Sequence, residues 1–270
     1  MAAEWGQRVA AVRDKVRRQV PLIHHITNVV VTNFTANGTL AIGASPVMAY
    51  AREEMAEMVG HARALVLNIG TLTAEEVEAM VEAGQAANRR GIPVLLDPVG
   101  AGATAYRLAA AKRILQEVKV TTIRGNASEV AALTGLDWQS RGVDSVGEHG
   151  DRVQLAKAAR DIFGTTVAVT GPMDVVAGSG GVFAVENGHP MLGFVTGTGC
   201  LATGVVAAFT AVEPDPAWAA AAALAFYGLA AERAVAEARG PGSFQTAFLD
   251  ELYGLSDAAL AEGVRIRAVE

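Results

Sequence analysis

ALVLNIGTLTAEEVEAMVEAGQAANRRGIPVLLDPVGAGATAYRLAAAKRILQEVKVTTIRGN, residues 64–126, consists of three short apolar runs separated by two long segments of a different period. The runs, at 64–69, 93–97 and 120–123, are bounded by Gly, Pro and Thr and have the length and composition of buried strands. Between them, 74–90 and 103–118 repeat their apolar positions at helical spacing. The start at Ala74 is marked by Thr73 with Glu76 three residues on, the pattern of a capping box. A strand, a helix and a further strand of this kind place neighbouring strands parallel in one sheet, with right-handed crossovers.

The same alternation extends outward in both directions. Upstream, apolar runs at 21–26 and 46–49 are joined to helical segments at 28–41 and 52–60, and the charged, amphipathic N-terminal residues read as a first helix. Downstream, helices are expected at 127–134 and 151–163, with a strand at 166–170. DVVA and VFAVE then flank Gly178, Ser179, Gly180 and Gly181, which predicts a hairpin and antiparallel strands at one sheet edge. Three helices follow, at 198–212, 216–238 and 243–253. The expected fold is therefore α/β, a three-layer sandwich whose mostly parallel central sheet carries helices on both faces. With no internal repeat and no linker, residues 1–270 read as a single domain. The stretch from Gly142 to Gly150 has the charge and glycine content of a mobile loop.

Composition narrows the function. Of 270 residues, 22 are Lys or Arg and 28 are Asp or Glu, giving a formal charge of −6, which argues against general attraction to nucleic acid or to an anionic membrane. Residues 190–212 carry no charge, but Gly193, Gly197 and Gly199 break them, leaving a core-helix length from Thr198 onward. No signal-peptide pattern opens the chain, and Cys200, the one cysteine, cannot form an intrachain disulfide. Both points suit a cytoplasmic protein. No CxxC or HExxH spacing offers zinc a site.

Open parallel sheets bind ligands beyond the carboxyl ends of their strands, so the residues following each run carry the information. These are Thr27 and Asn28, Gly70 and Thr71, Asp97 to Gly100, Arg124 to Glu129, and Thr170 with Gly171. The strongest local signal is Val195-Thr196-Gly197-Thr198-Gly199-Cys200, a glycine-rich turn opening an apolar helix. Free N–H groups and the positive dipole end at such a position favour a phosphate, although a glycine turn that merely packs closely would look the same. Its partial likeness to a dinucleotide fingerprint fails, since Glu213 and Asp215 lead into a second helix instead of following a strand, and there is no GxxxxGK[ST].

Each remaining residue has two readings. Cys200 in the first turn of that helix is either inert packing or a base whose pKa the dipole lowers. Asp97 with Asn126 and Glu129 suits a hard cation such as Mg²⁺, or else a turn before Pro98 and a capped helix. Arg124 either clamps phosphate or pairs with a surface carboxylate. His24 and His25 are adjacent on one strand, so they face opposite ways and cannot share a metal; core histidines are the simpler reading.

Taken together, ITN (26–28), NFTANGTLAIGASPVMA (33–49), LDPVGAGAT (96–104), IRGNASE (123–129), VTGPMD (169–174) and VTGTGC (195–200) resemble, in order, the hydroxyethylthiazole kinases of the ribokinase-like superfamily. The likeness runs from about residue 21 to 253. It implies transfer of the γ-phosphoryl group of ATP to the primary alcohol of 4-methyl-5-(2-hydroxyethyl)thiazole, with Mg²⁺, in thiamin salvage. Carried over by position, Met48 and Asn28 are similar to thiazole-pocket residues, with Gly197 near the substrate hydroxyl. Arg124, Thr170 and Asn126 resemble ATP-binding positions, and Asp97 and Glu129 the acidic residues that hold Mg²⁺ through water. The Gly197, Thr198, Gly199 and Cys200 turn would supply the catalytic donors, and Cys200 stands where ribokinase relatives usually carry Asp as base. The family also implies a homotrimer with the thiazole pocket between subunits, to which the apolar segments 29–42 and 47–48 would contribute. A hydroxymethylpyrimidine kinase is the nearest alternative. A non-catalytic nucleotide-binding protein is a more distant one, because the acidic pair is present.

Overall fold

The structure, a computed structural model, describes residues 2–136 and 148–269. In chain order the elements are α1 (Ala2–Gln19), β1 (Leu22–Ile26), α2 (Thr32–Ala41), β2 (Ser45–Met48), α3 (Met55–His61), β3 (Ala64–Asn68), α4 (Ala74–Arg89), β4 (Val94–Asp97), α5 (Ala105–Glu117), β5 (Thr122–Asn126), α6 (Ala127–Thr134), α7 (Glu148–Phe163), β6 (Thr166–Thr170), β7 (Asp174–Gly178), β8 (Gly181–Val185), α8 (Thr198–Thr210), α9 (Pro216–Glu237), α10 (Pro241–Gly254), α11 (Asp257–Gly263) and β9 (Ile266–Ala268). The strands form one nine-stranded sheet in the order β2-β1-β3-β4-β5-β6-β7-β8-β9. Pairing is parallel from β2 to β6 and antiparallel from β6 to β9, so the predicted hairpin lies toward one edge.

Two apolar layers account for this architecture. Every residue of β3, β4 and β6 is buried, as expected of strands covered on both faces. Leu65, Leu67, Leu96, Ile123 and Val167 point into one layer beneath α3 to α7, while Ala64, Val66, Leu95 and Ala168 point into the other beneath α1, α2, α8 and α9. α9 is alanine-rich and lies close over the sheet. Gly228 on it sits so near the backbone of Asn187 that a Cβ there would fall 2.5 Å from the Asn187 carbonyl. Among the described residues, α9 is the one helix long and apolar enough to cross a membrane, and most of it is buried within the fold. The charge-free stretch 190–212 divides into a 3-10 turn at Pro190–Phe194, the glycine turn, and the buried thirteen-residue α8.

Some boundaries differ from the reading above for physical reasons. α2 begins at Thr32 and not at residue 28, because residues 29–31 are taken up by a turn in which Val31 N–H donates to Asn28 O, and Val31 at the N-cap has no side-chain cap. β5 runs on to Asn126, since its ladder with β6 continues through Arg124↔Ala168 to Asn126↔Thr170. The apolar run ends at 123, but the strand does not. α11 and β9 were not expected from the sequence; β9 adds an antiparallel edge strand beside β8. The loop expected from Gly142 to Gly150 lies outside the described residues up to 147, and α7 already includes Glu148. The capping box at Thr73 is present, with Glu76 N–H donating to Thr73 Oγ1 at 3.2 Å and Thr73 N–H to Glu76 Oε2 at 2.8 Å.

Gly228→Ala will lower unfolding free energy by about 1–3 kcal/mol, because the backbone it meets cannot turn aside as a side chain could. A urea midpoint equal to that of the parent chain would contradict this close approach.

Candidate active site

At the carboxyl ends of the central strands, polar side chains meet in a region that is otherwise apolar. Asp97 ends β4 and is completely buried. Its Oδ2 accepts from Asn68 Nδ2 at 2.7 Å and from Thr203 Oγ1 at 3.0 Å. Its Oδ1 has no hydrogen-bond partner and lies 3.9 Å from Arg124 Nη1. Burial pushes the Asp97 carboxyl up to about 6, against the opposing pull of the Arg124 guanidinium. Arg124, projecting from β5, donates through Nη2 to Thr170 Oγ1 at 2.7 Å, and Thr170 ends the adjacent β6. Arg124 and Thr170 are therefore held together by strand register.

The glycine turn faces this group. Gly197 has φ +89°, and a Cβ there would lie 2.8 Å from Val31 Cγ1, so glycine is required on both counts. A Cβ at Gly199 would lie 3.1 Å from Arg124 Nη1, so its absence lets the guanidinium rest against the turn. The Thr198 hydroxyl donates to Leu192 O at 2.7 Å, and the Tyr227 hydroxyl donates to Thr198 O at 2.6 Å, which pins the start of α8. The first helical bond of α8 runs from Leu201 N–H to Gly197 O. The N–H groups of Thr198, Gly199 and Cys200 thus stand ahead of the helical ladder, where an anion is favoured.

Beside the turn, Asn28 Nδ2 lies 3.0 Å from Asn68 Oδ1 and 3.3 Å from Cys200 Sγ, donating to both. Of the two readings of Cys200, a pKa lowered by the helix dipole is the one its surroundings oppose. Burial, with the nearby Asp97 charge, pushes the thiol up to about 11, outweighing the hydrogen bond from Asn28. Cys200 is thus a neutral thiol at physiological pH.

A cleft of about 540 Å³ opens from Arg124, Asn126 and Thr170 past Thr198 and Gly199 to Tyr227, with Asp174 in its wall. The Asp174 carboxyl is pushed up to about 7 by burial, which outweighs the Gly171 N–H it accepts. A larger groove, about 940 Å³, lies at the opposite, amino ends of β4 to β6 beside Lys119 and Thr165. It contains none of the predicted site residues, and its threonine hydroxyls at 121 and 165 are already bonded to backbone.

Other predicted residues are placed less centrally. Asn126 and Glu129 form a capping box on α6, with Glu129 N–H donating to Asn126 Oδ1 at 2.9 Å and Asn126 N–H to Glu129 Oε2 at 2.8 Å. Glu129 Oε1 also accepts from Gly100 N–H at 2.9 Å, joining α6 to the loop after β4. Met48 ends the edge strand β2, half-buried and opposite His25 in register, outside the polar network. His24 bonds Ala49 O at 3.0 Å, while His25 is fully buried with both ring nitrogens unpartnered and is pushed down to about 3. A neutral His25 belongs to the core, not to the site.

No group of three His, Cys, Asp or Glu among the described residues could by itself enclose a metal. The donors that are present are nevertheless hard ones. Asp97 offers a bare buried oxygen, and each Glu129 oxygen accepts one backbone N–H and keeps capacity for a water. That set fits a hydrated hard cation and not a thiophilic one.

Asn68, Thr203 and Arg107 were missed from sequence. Asn68 is a lone amide inside a buried apolar strand, which demands a partner. Thr203 lies three residues after Cys200 in an apolar helix and so shares its face. Arg107 donates to the carbonyls of Ile69, Gly70 and Val99, clamping the loops after β3 and β4. Nothing local to its sequence distinguishes it from a surface arginine.

The mostly parallel sheet, with a helix N-terminus at its carboxyl edge and an antiparallel extension from β6 to β9, is a ribokinase-like fold. A ribokinase-like superfamily protein from Enterococcus faecalis V583 shares that fold, with TM-score 0.63 and 13% identity over 89% of this chain and 93% of that one. The Hydroxyethylthiazole kinase family profile matches residues 14–258. The hydroxyethylthiazole kinase of Moorella thermoacetica is 57% identical over 264 residues, covering 97% of this chain and 98% of its own. The structure of the hydroxyethylthiazole kinase protein from Pyrococcus horikoshii OT3 superposes with TM-score 0.91 at 43% identity, covering 97% of this chain and 99% of that one. This chain belongs to the hydroxyethylthiazole kinase family.

Since a thiol at about 11 is protonated more completely than an unhindered one, Cys200 will react with iodoacetamide at pH 8 at least about tenfold more slowly than a cysteine in an unfolded peptide. Its alkylation rate will still be climbing at pH 9.5. A plateau below pH 8.5 would show a depressed pKa instead.

Proposed function

We propose that this chain transfers the γ-phosphoryl group of ATP to the primary alcohol of 4-methyl-5-(2-hydroxyethyl)thiazole, a phosphotransferase step in thiamin salvage. The observation that carries this reading is the Gly197–Cys200 turn, which has the Arg124 and Thr170 cleft on one side and Asn28 on the other. The cleft takes ATP, with Arg124, Thr170 and Asn126 against it. Asn28, Met48 and Gly197 shape the acceptor side.

Phosphoryl transfer through a loose transition state depends more on alignment and charge stabilisation than on a strong base. Arg124 supplies fixed positive charge, and the N–H groups opening α8 supply preorganised donors where negative charge is redistributed. Mg²⁺, held through water by Asp97 and Glu129, would neutralise the polyphosphate. Cys200 stays protonated in the resting site and keeps Asn28 in place through the 3.3 Å contact. Its place in proton transfer is a secondary one on this reading.

The chain would act in the cytoplasm as a homotrimer. Of the apolar segment 29–42, Val31, Phe34 and Ile42 are used in the core, whereas Val29, Val30 and Leu40 are more than half exposed and support a subunit contact beside Asn28. Light scattering will give a trimer at active concentrations; a monomer would remove the interfacial pocket.

ADP release with Mg-ATP tests the activity directly. Release is expected with the thiazole alcohol and not with hydroxymethylpyrimidine or without acceptor. Release with the pyrimidine would overturn the acceptor assignment and keep the nucleotide site. Arg124→Ala and Glu129→Ala will each lower turnover by about tenfold or more, whereas Cys200→Ser will retain measurable, reduced turnover. Near-normal kinetics in either of the first two would remove that residue from its role.

A further inference from the structure

One buried side chain joins Asn28, on the acceptor side of the site, to Asp97. Asn68 ends β3 directly beside Asp97 in the parallel register of β3 and β4, and it is 98% buried. Its Nδ2 donates to Asp97 Oδ2, and its Oδ1 accepts both from Asn28 Nδ2 and from Gly70 N–H, at 2.7, 3.0 and 2.9 Å. That pattern fixes the orientation of the amide, because only an oxygen can accept two N–H groups and only the nitrogen can donate to a carboxylate. Gly70 completes the seat: a Cβ there would fall 2.7 Å from Asn28 Nδ2, so the absence of a side chain lets Asn28 lie against the loop.

Asp97 Oδ2 is thereby filled by two donors, Asn68 and Thr203, leaving Oδ1 as the one bare oxygen facing Arg124. The two donors differ in what else they hold. Thr203 acts on Asp97 alone apart from a 3.4 Å contact to Gly199 O within its own helix. Asn68 acts on Asp97 and Asn28 at once.

From this wiring we infer that Asn68 is the positioning residue that sets Asn28 for the acceptor alcohol and aims Asp97 Oδ1 into the phosphoryl site. This inference rests on the thiazole kinase reading above. Asn68→Leu will weaken thiazole-alcohol binding, measured calorimetrically without nucleotide, by about fivefold or more, as expected for one lost hydrogen bond, and will lower kcat as well. Asn28→Ala will weaken the same binding, and the double variant will bind no more weakly than the poorer single one. Thr203→Val, which removes the other donor to Asp97, will lower kcat while alcohol binding stays within about twofold of the parent.

Thermal unfolding of each variant accompanies the titrations, and Asn68→Ser replaces Asn68→Leu if the latter has no cooperative transition. Asn68 variants that bind the alcohol like the parent, or whose effect multiplies with that of Asn28→Ala, overturn the inference while leaving the activity standing. A parent chain that neither binds nor phosphorylates the thiazole alcohol overturns the activity, and the inference with it.

Discussion

Burial of a carboxylate at the centre of the sheet constrains the rest of this site. Asp97 has no exposed surface, and an unpaired charge in such a position is costly enough that its surroundings must answer it. Three elements do so: β3 through Asn68, α8 through Thr203, and β5 through Arg124, whose guanidinium stops at 3.9 Å without closing a tight ion pair. The residual cost of burial is visible in the raised carboxyl pKa. An oxygen left bare under those conditions is the part of the structure with most to gain from a ligand that brings positive charge.

The glycine turn depends on the same arrangement. α8 must approach the strand ends closely for Thr203 to reach Asp97, and the turn before it must clear Val31, Phe34 and Arg124 on the way. Gly197 avoids a Cβ clash with Val31 and supplies a left-handed backbone, and Gly199 leaves room for the Arg124 guanidinium. Tyr227 and the Leu192 carbonyl then hold Thr198 from the other side. The free N–H groups of α8 are therefore fixed before any ligand arrives, which is what preorganised charge stabilisation requires.

The layered sheet was legible because parallel strands buried on both faces leave continuous apolar runs, and because capping residues such as Thr73 mark where helices begin. β5 was cut short for the complementary reason: strand pairing, and not hydrophobicity, carries the chain through Arg124 to Asn126. α11 and β9 have too little apolar pattern to announce themselves. In the candidate site, Asp97, Arg124 and Thr170 were singled out by their position at the ends of apolar runs and the glycine turn by its composition, and the structure brings them together. Their mutual distances, and the selection of Asn68 and Thr203 as partners, arise from register and helix approach, which no local pattern encodes. Cys200 shows the limit most clearly. The helix start was read correctly, yet burial beside Asp97 moves the thiol in the direction opposite to the dipole.

A neutral Cys200 and a half-answered Asp97 fit together as parts of one charge balance. Were the residue at 200 ionised at rest, a second negative charge would sit beside Asp97 in a buried site with Arg124 as the nearest cation, and like charges at close range cannot both persist there. A protonated thiol avoids that conflict while still accepting the weak hydrogen bond from Asn28. The buried part of the site thus keeps its net charge low. Arg124, tethered to Thr170 and resting against Gly199, stands 3.9 Å from the buried carboxylate and lines the cleft, so its charge can answer an anion there without leaving its strand.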